Sequence, residues 1–229
     1  ASVAGALASK AVFGKTKCDI IVVPGITIIA GGVISIFASP YISRFMMLIG
    51  NIINKSTNLN PLPMGILVAL IMGIIITSPI SSAAVAISLG LSGLSAGAAT
   101  IGCACHMVGF AVAGYKDNGF NGLISHGLGT SKLQMANSIK NPLILVPPMA
   151  ASVILGGVGA AIFKMENNKI GAGMGTSGLV GQFTTFEVMG EKSLIPMLLL
   201  HFIFPAVIAL LVSGIMRKTG LIKQGDMKI

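Results

Sequence analysis

The sequence predicts an all-α polytopic membrane protein with about five to seven membrane segments of roughly 20 residues each. Three observations predict it. Hydrophobic residues make up 54% of the 229 residues and charged residues only 9%, with a mean hydropathy of +0.92, whereas about a quarter of a soluble domain is charged. Apolar runs long enough to cross a bilayer recur along the chain. Between them one polar loop is written twice, as Gly127-Leu128-Gly129-Thr130-Ser131 and Gly173-Met174-Gly175-Thr176-Ser177.

Residues 1–18 are small and mildly basic, with Lys10, Lys15 and Lys17 ahead of the first long apolar run. They read as the end of a preceding element plus a cytoplasmic-type loop, so the natural start is expected upstream. Residues 19–38 read as a span broken at Pro24-Gly25. The amphipathic stretch 40–54, with Arg44 and Asn51, reads as a separate interfacial or tilted helix. Pro61 and Pro63 launch a span over 64–78 that ends at Ser78-Pro79, where Ser78, Ser81 and Ser82 can re-satisfy a broken helix. Two apolar stretches follow, around 82–98 and 99–115, so rich in Gly, Ala and Ser that helix backbones can approach closely. A span over 141–163 opens at Asn141-Pro142 and is kinked at Pro147-Pro148. The last span, 194–216, contains His201 and Pro205. After it Arg217, Lys218, Lys223 and Lys228 outweigh Asp226, which makes that end cytoplasmic by the positive-inside rule. The whole, residues 1–229, reads as a single multi-pass membrane domain.

The net charge of +9 is spread beside the apolar segments. It serves orientation and contact with the anionic lipid bilayer. No basic stripe with interleaved aromatics is present, which excludes nucleic acid as a partner class. Cys18, Cys103 and Cys105 give no disulfide framework and fit buried thiols.

Two glycines around one residue let a backbone take positive φ and gather N–H groups into one concavity, with Thr and Ser hydroxyls at its mouth. Surface turns are the plainer explanation of one such loop. The duplication, inside the polar intervals 116–140 and 164–192, favours two re-entrant hairpins related by an internal repeat and facing a common midplane cavity. Gln134 follows the first copy and Gln182 the second; His126 precedes the first and Glu187 follows the second. If the copies face each other, an imidazole and a carboxylate meet at the ligand, to hold hydroxyls or pass a proton. The candidate ligand-binding residues are therefore His126, Gly127, Gly129, Thr130, Ser131 and Gln134 on one side, and Gly173, Gly175, Thr176, Ser177, Gln182 and Glu187 on the other.

Cys103-Ala104-Cys105-His106 offers too few ligands for a metal. It reads as packed core, or as His106 facing a cavity. His201 is an intramembrane ionisable group and so a site candidate, with a neutral hydrogen-bonded histidine as the plainer reading. No nucleotide loop and no Ser/His/Asp order can be found, so no catalytic residue, metal or cofactor is assigned and the chain alone is not a complete enzyme.

With NPLPMGILVALIMGIIITSPISSAA, GLSGLSAGAATIGCACHMVGFAV, SHGLGTSKLQM, KNPLILVPP and GAGMGTSGLVGQF in order, the sequence resembles the IIC-type membrane permeases of the phosphotransferase system (PTS). It looks most like the family that includes proteins described as perfringolysin-O regulators. The similarity spans essentially residues 10–215, and the paired loops are its most specific part. The resemblance implies a homodimeric sugar permease of the bacterial inner membrane, acting with separate IIA and IIB phosphotransferase proteins. It also implies additional N-terminal helices. In better-known IIC families a His and a Glu hold the sugar; their flanking motifs do not match here, so those roles for His126 and Glu187 rest on position. Two other functions fit the same residues. One is a membrane sensor or regulator that binds such a ligand without coupled transport, and the other is a carrier for a small anionic metabolite with Lys132 as counter-charge.

Overall fold

The computed structural model describes residues 2–12, 19–57 and 60–229. Cys18, Lys15 and Lys17 lie outside these residues. Among the described residues every regular element is helical, and the only bridge-like pairing joins Gly93 and Asn167. Contacts divide the chain into two compact units, Ala1–Asn51 and Ile52–Ile229.

The first unit holds α1 (Ser2–Val12) and most of α2 (Asp19–Thr57). The break expected at Pro24-Gly25 and the separate helix expected over 40–54 do not form: α2 is one helix of 39 residues that runs through both Pro24 and Pro40. A proline removes a single backbone donor, and within a long apolar helix the remaining bonds carry the element across it. Ile28, Ile29, Val33, Ile36 and Phe37 on α2 are exposed, an apolar surface suited to lipid.

The second unit contains α3 (Pro61–Thr77), α4 (Ser82–Ser88), α5 (Gly93–Ala113), α6 (Tyr115–Ile124), α7 (Met135–Lys140), α8 (Val146–Ala161), α9 (Val180–Met189), α10 (Leu194–Leu198) and α11 (Phe204–Lys218), joined by short 3-10 and π turns. Helix α5 is its axis. From Ala96 to Ala113 every residue except Val112 is buried, because α3, α8 and α11 all pack on it. Small residues make this possible: a Cβ on Gly102 would overlap the Ala69 carbonyl, and one on Gly65 would overlap the carbonyl of Gly156. Close backbone approach of this kind drives helix association where lipid tails are as apolar as the side chains.

The two apolar stretches expected at 82–98 and 99–115 are instead unequal, the seven-residue α4 and the 21-residue α5. Gly90 and Gly93, at φ +63° and +57°, form the left-handed turn that separates them. Among the described residues, Gly93–Ala113, Pro142–Ala161 and Ser177–Lys218 are long and apolar enough to cross a membrane, and Val22–Phe37 and Pro61–Thr77 are shorter apolar helices. The chain is thus a helical membrane protein.

Candidate functional site

The first loop copy begins where α6 widens into a π turn over Ser125–Gly129. His126 is buried in that turn. Its Nδ1 lies 2.7 Å from the Gly122 carbonyl, so Nδ1 carries the proton and Nε2 accepts a bond from Gln134 Nε2 at 2.9 Å. The same amide donates to the Met227 carbonyl at 2.7 Å, and Gln134 Oε1 accepts from Asn137 Nδ2 at 2.9 Å. Every polar atom of this His–Gln pair therefore has a protein partner. Burial lowers the His126 pKa below its ordinary value, against the bond to Gly122, which raises it.

Thr130 is extended and its hydroxyl accepts from Lys132 N at 3.2 Å. Buried Ser131 accepts from Thr77 Oγ1 at 3.1 Å, and Thr77 Oγ1 lies 2.9 Å from His106 Nδ1 on α5. His106 Nε2 has no partner among the described residues. Lys132 Nζ donates to the carbonyls of Ser78 and Ile80, both at 2.6 Å, and burial lowers its pKa. A cation thus closes the broken end of α3. The serines there also act as expected: Ser78 Oγ donates to the Ile75 carbonyl, Ser81 caps α4, and Ser82 Oγ donates to the Gly173 carbonyl at 2.6 Å.

The second copy lies between two 3-10 turns, Gly171–Gly173 and Ser177–Leu179. Of the four repeated glycines only Gly175 has positive φ, +54°. The expectation of a left-handed backbone at both copies therefore holds for one, because the first copy follows a right-handed π turn. A Cβ on Gly175 would come within 2.7–2.8 Å of backbone atoms of Cys103 and Ala104, and one on Gly173 would overlap the Ser82 carbonyl. The second copy is packed onto α4 and α5. Ser177 is half-buried, at its rim.

The two copies touch. The buried Thr176 hydroxyl donates to the Gly127 carbonyl and also lies 3.6 Å from Met107 Sδ. Gly129 is exposed, and a Cβ added there would meet nothing.

On α9, buried Gln182 has its Nε2 3.0 Å from His201 Nδ1. His201 sits in a second π turn, Leu199–Ile203, just ahead of Pro205, which lacks the N–H that an α-helix would direct at residue 201. Gln182 Oε1 and His201 Nε2 have no partner among the described residues. If the amide donates to Nδ1, the free atoms are an acceptor on Gln182 and a donor on His201. With the amide flipped and the tautomer exchanged, they are a donor on Gln182 and an acceptor on His201. Either assignment leaves one free donor and one free acceptor on the pair.

Glu187 is exposed on α9, where its Oε2 accepts from Asn168 Nδ2 at 3.4 Å. Among the described residues no hydrogen bond joins it to His126 or to either loop. Thr77 and His106 were not among the residues expected at the site. The signal for Thr77 was a hydroxyl at the end of an apolar run, just ahead of Ser78-Pro79; for His201 it was an ionisable group four residues before a proline. Cys103 and Cys105 are buried thiols, and no group of three or more metal-binding side chains occurs among the described residues.

Two cavities flank the first copy. One of about 220 Å³ is lined by Thr77, Ser78, Met135 and Ser138, and another of about 200 Å³ by Val108, Ala111, Gly127 and Leu128.

Helices with apolar outer faces, enclosing hydroxyls, amides and imidazoles at two touching glycine loops, define a membrane protein with a polar interior of the kind transport proteins use. The chain belongs to the family described as Phosphotransferase system, EIIC, whose profile matches residues 1–229. At the level of the family it is a membrane transport component of the PTS, for which a sugar is the substrate class and IIA and IIB proteins are possible partners. The match extends beyond the 10–215 region that carries the recognisable motifs. Comparison with curated proteins and with solved structures gives no match.

Proposed function

We propose that this chain is a PTS permease that binds a neutral sugar or polyol between the two G-x-G-T-S loops and carries it across the membrane. The observation that supports this most is the Gln182–His201 pair, which keeps one free donor and one free acceptor inside the longest apolar helical segment, Ser177–Lys218. A buried polar group without a partner is costly, so a ligand with several hydroxyls that satisfies each atom separately gains from the pair what the protein alone leaves unsatisfied. One further sugar hydroxyl has a candidate partner in His106 Nε2, on the imidazole that Thr77 links to Ser131. Lys132 favours a neutral ligand over an anion, because two of its three ammonium protons are already given to carbonyls.

In this reading the loops are re-entrant, the copies form a repeat, and residues 1–229 act as one membrane domain of a homodimer in the bacterial inner membrane. Separate IIA and IIB proteins supply the phosphoryl group. The end after α11 faces the cytoplasm, since Arg217, Lys218, Lys223 and Lys228 follow it. Thiol labelling of a Cys introduced at Lys228 tests this, and reaction with an impermeant reagent in intact cells would reverse the orientation.

The function is tested by thermal shift of the purified chain against neutral sugars, polyols, sugar phosphates and small carboxylates, with wild type beside Gln182→Leu and His201→Phe. A ligand that binds the folded state must raise its melting temperature. A neutral sugar should stabilise wild type and lose that effect in both variants. Stabilisation by anions alone, or a sugar effect that both variants retain, would overturn the reading. Uptake of the same sugar into proteoliposomes should follow, and binding without uptake would make the chain a sensor.

A further inference from the structure

At the end of α11 a cavity of about 390 Å³ is lined by Lys116, Arg217, Gly220, Ile222, Lys223 and Gln224. Three cations, Lys116, Arg217 and Lys223, stand there against two carboxylates, and both carboxylates are engaged. Asp117, the nearest acid, is used up internally: Oδ2 pairs with Arg217 Nη2 at 2.8 Å and Oδ1 accepts from Gly225 N at 2.9 Å. Asp226 accepts from Lys223 N and from Asn141 Nδ2, both at 2.8 Å. The ammonium groups of Lys116 and Lys223 make no hydrogen bond or ion pair among the described residues, and both lysines are exposed.

The cavity also adjoins apolar surface suited to lipid. Leu211 and Ile215 are exposed one turn apart on α11, exposed Leu221 follows the helix between the lining residues Gly220 and Ile222, and exposed Tyr115 precedes Lys116. An aromatic ring and cations beside exposed apolar residues are the signature of the membrane–water interface.

We propose that this cavity binds the phosphate of an anionic membrane phospholipid, with Lys116 and Lys223 on the phosphate oxygens and the acyl chains along Leu211, Ile215 and Leu221. Arg217 holds the floor through Asp117 and the Ala113 carbonyl, which its Nη2 reaches at 3.1 Å. Lipid here would brace the segment after α11, whose Met227 carbonyl holds Gln134 and through it His126.

The experiment is native mass spectrometry of the full chain in neutral detergent, titrated with phosphatidylglycerol or phosphatidylcholine, with melting temperatures measured in parallel. Phosphatidylglycerol should be retained, and Lys116→Gln with Lys223→Gln should weaken its retention about tenfold or more, since each cation near the surface contributes to anionic-lipid attraction. The control pair Lys169→Gln with Lys192→Gln, of equal charge change, should retain it as wild type does. Equal retention of both lipids, equal loss in both double variants, or unchanged retention in the Lys116/Lys223 variant would overturn the proposal. Glycerol 1-phosphate is the arm for a soluble ligand: if it raises the melting temperature as phosphatidylglycerol does and displaces the lipid, the site is for free phosphate and the lipid assignment fails. Substitution at these exposed lysines leaves the Asp117–Arg217 pair intact, so melting temperatures in the absence of lipid should match wild type.

Discussion

The side-chain amide of Gln134 lies 2.9 Å from His126 Nε2 and 2.7 Å from the Met227 carbonyl, so one group ties the first glycine loop to the segment that follows α11. Asn118 reinforces the tie, donating to the same Met227 carbonyl at 2.7 Å and accepting from Ile229 N at 2.9 Å. The site and the end of the last helix thereby share a hydrogen-bonded network.

Gln134→Leu leaves the imidazole nitrogen of His126 unpaired in buried surroundings, while the Met227 carbonyl keeps Asn118 as its donor. A loss of about 1–3 kcal/mol in stability is expected for a group so stranded. Hydrogen exchange over residues 219–229 should quicken in the same variant; unchanged exchange there would mean that the tie carries no weight.

Stability should fall as the solution is acidified below the ordinary histidine range. Burial lowers the folded-state pKa of His126, so the unfolded chain takes up the proton first. The contribution is complete above the unfolded value of about 6.5 and is lost as pH drops toward the lower folded value. Protonated Nε2 can no longer accept from Gln134. Melting curves of wild type and His126→Phe between pH 8 and pH 5 isolate this residue, and parallel slopes would remove it as a source of the pH dependence.

Gly175 and Gly129 hold the same place in the two copies but should respond oppositely to a methyl group. Gly175→Ala forces a Cβ onto a backbone at φ +54° and against Cys103 and Ala104. It should cost about 2 kcal/mol or more, combining left-handed strain with overpacking. Gly129→Ala meets open space and should stay within about 0.5 kcal/mol of wild type, as surface changes do. Comparable losses in the two variants would contradict the packing described.

Lys132→Met separates a structural cation from a ligand-binding one. It removes the donors on the Ser78 and Ile80 carbonyls, so the melting temperature should drop, by about 1–3 kcal/mol in stability. Affinity for a neutral sugar should change little in the protein that remains folded. Selective loss of anion binding at unchanged stability would instead restore the anionic-carrier function.

Class and approximate spans were legible because the bilayer imposes a composition and a length that any reader of the chain can see. The recurrence of G-x-G-T-S with a glutamine after each copy was legible too. What composition could not reveal was how a proline would behave: Pro24 and Pro40 stay inside α2, because losing one backbone bond is small beside the helix around it. Nor could it reveal that Glu187 hydrogen-bonds to Asn168 on an exposed face while Thr77 and His106 join Ser131.

By itself the sequence determined that the chain is a helical membrane protein, that its polar groups are few, and that two like loops and their glutamines stand out among them. The tertiary structure decided which atoms remain free. Gln134 and Gln182 each follow a copy of the loop within a few residues, yet the first is saturated by His126, Asn137 and Met227, while the second shares with His201 an unpartnered donor and acceptor. That difference depends on groups up to 93 residues distant along the chain, and only packing brings such groups within hydrogen-bonding reach.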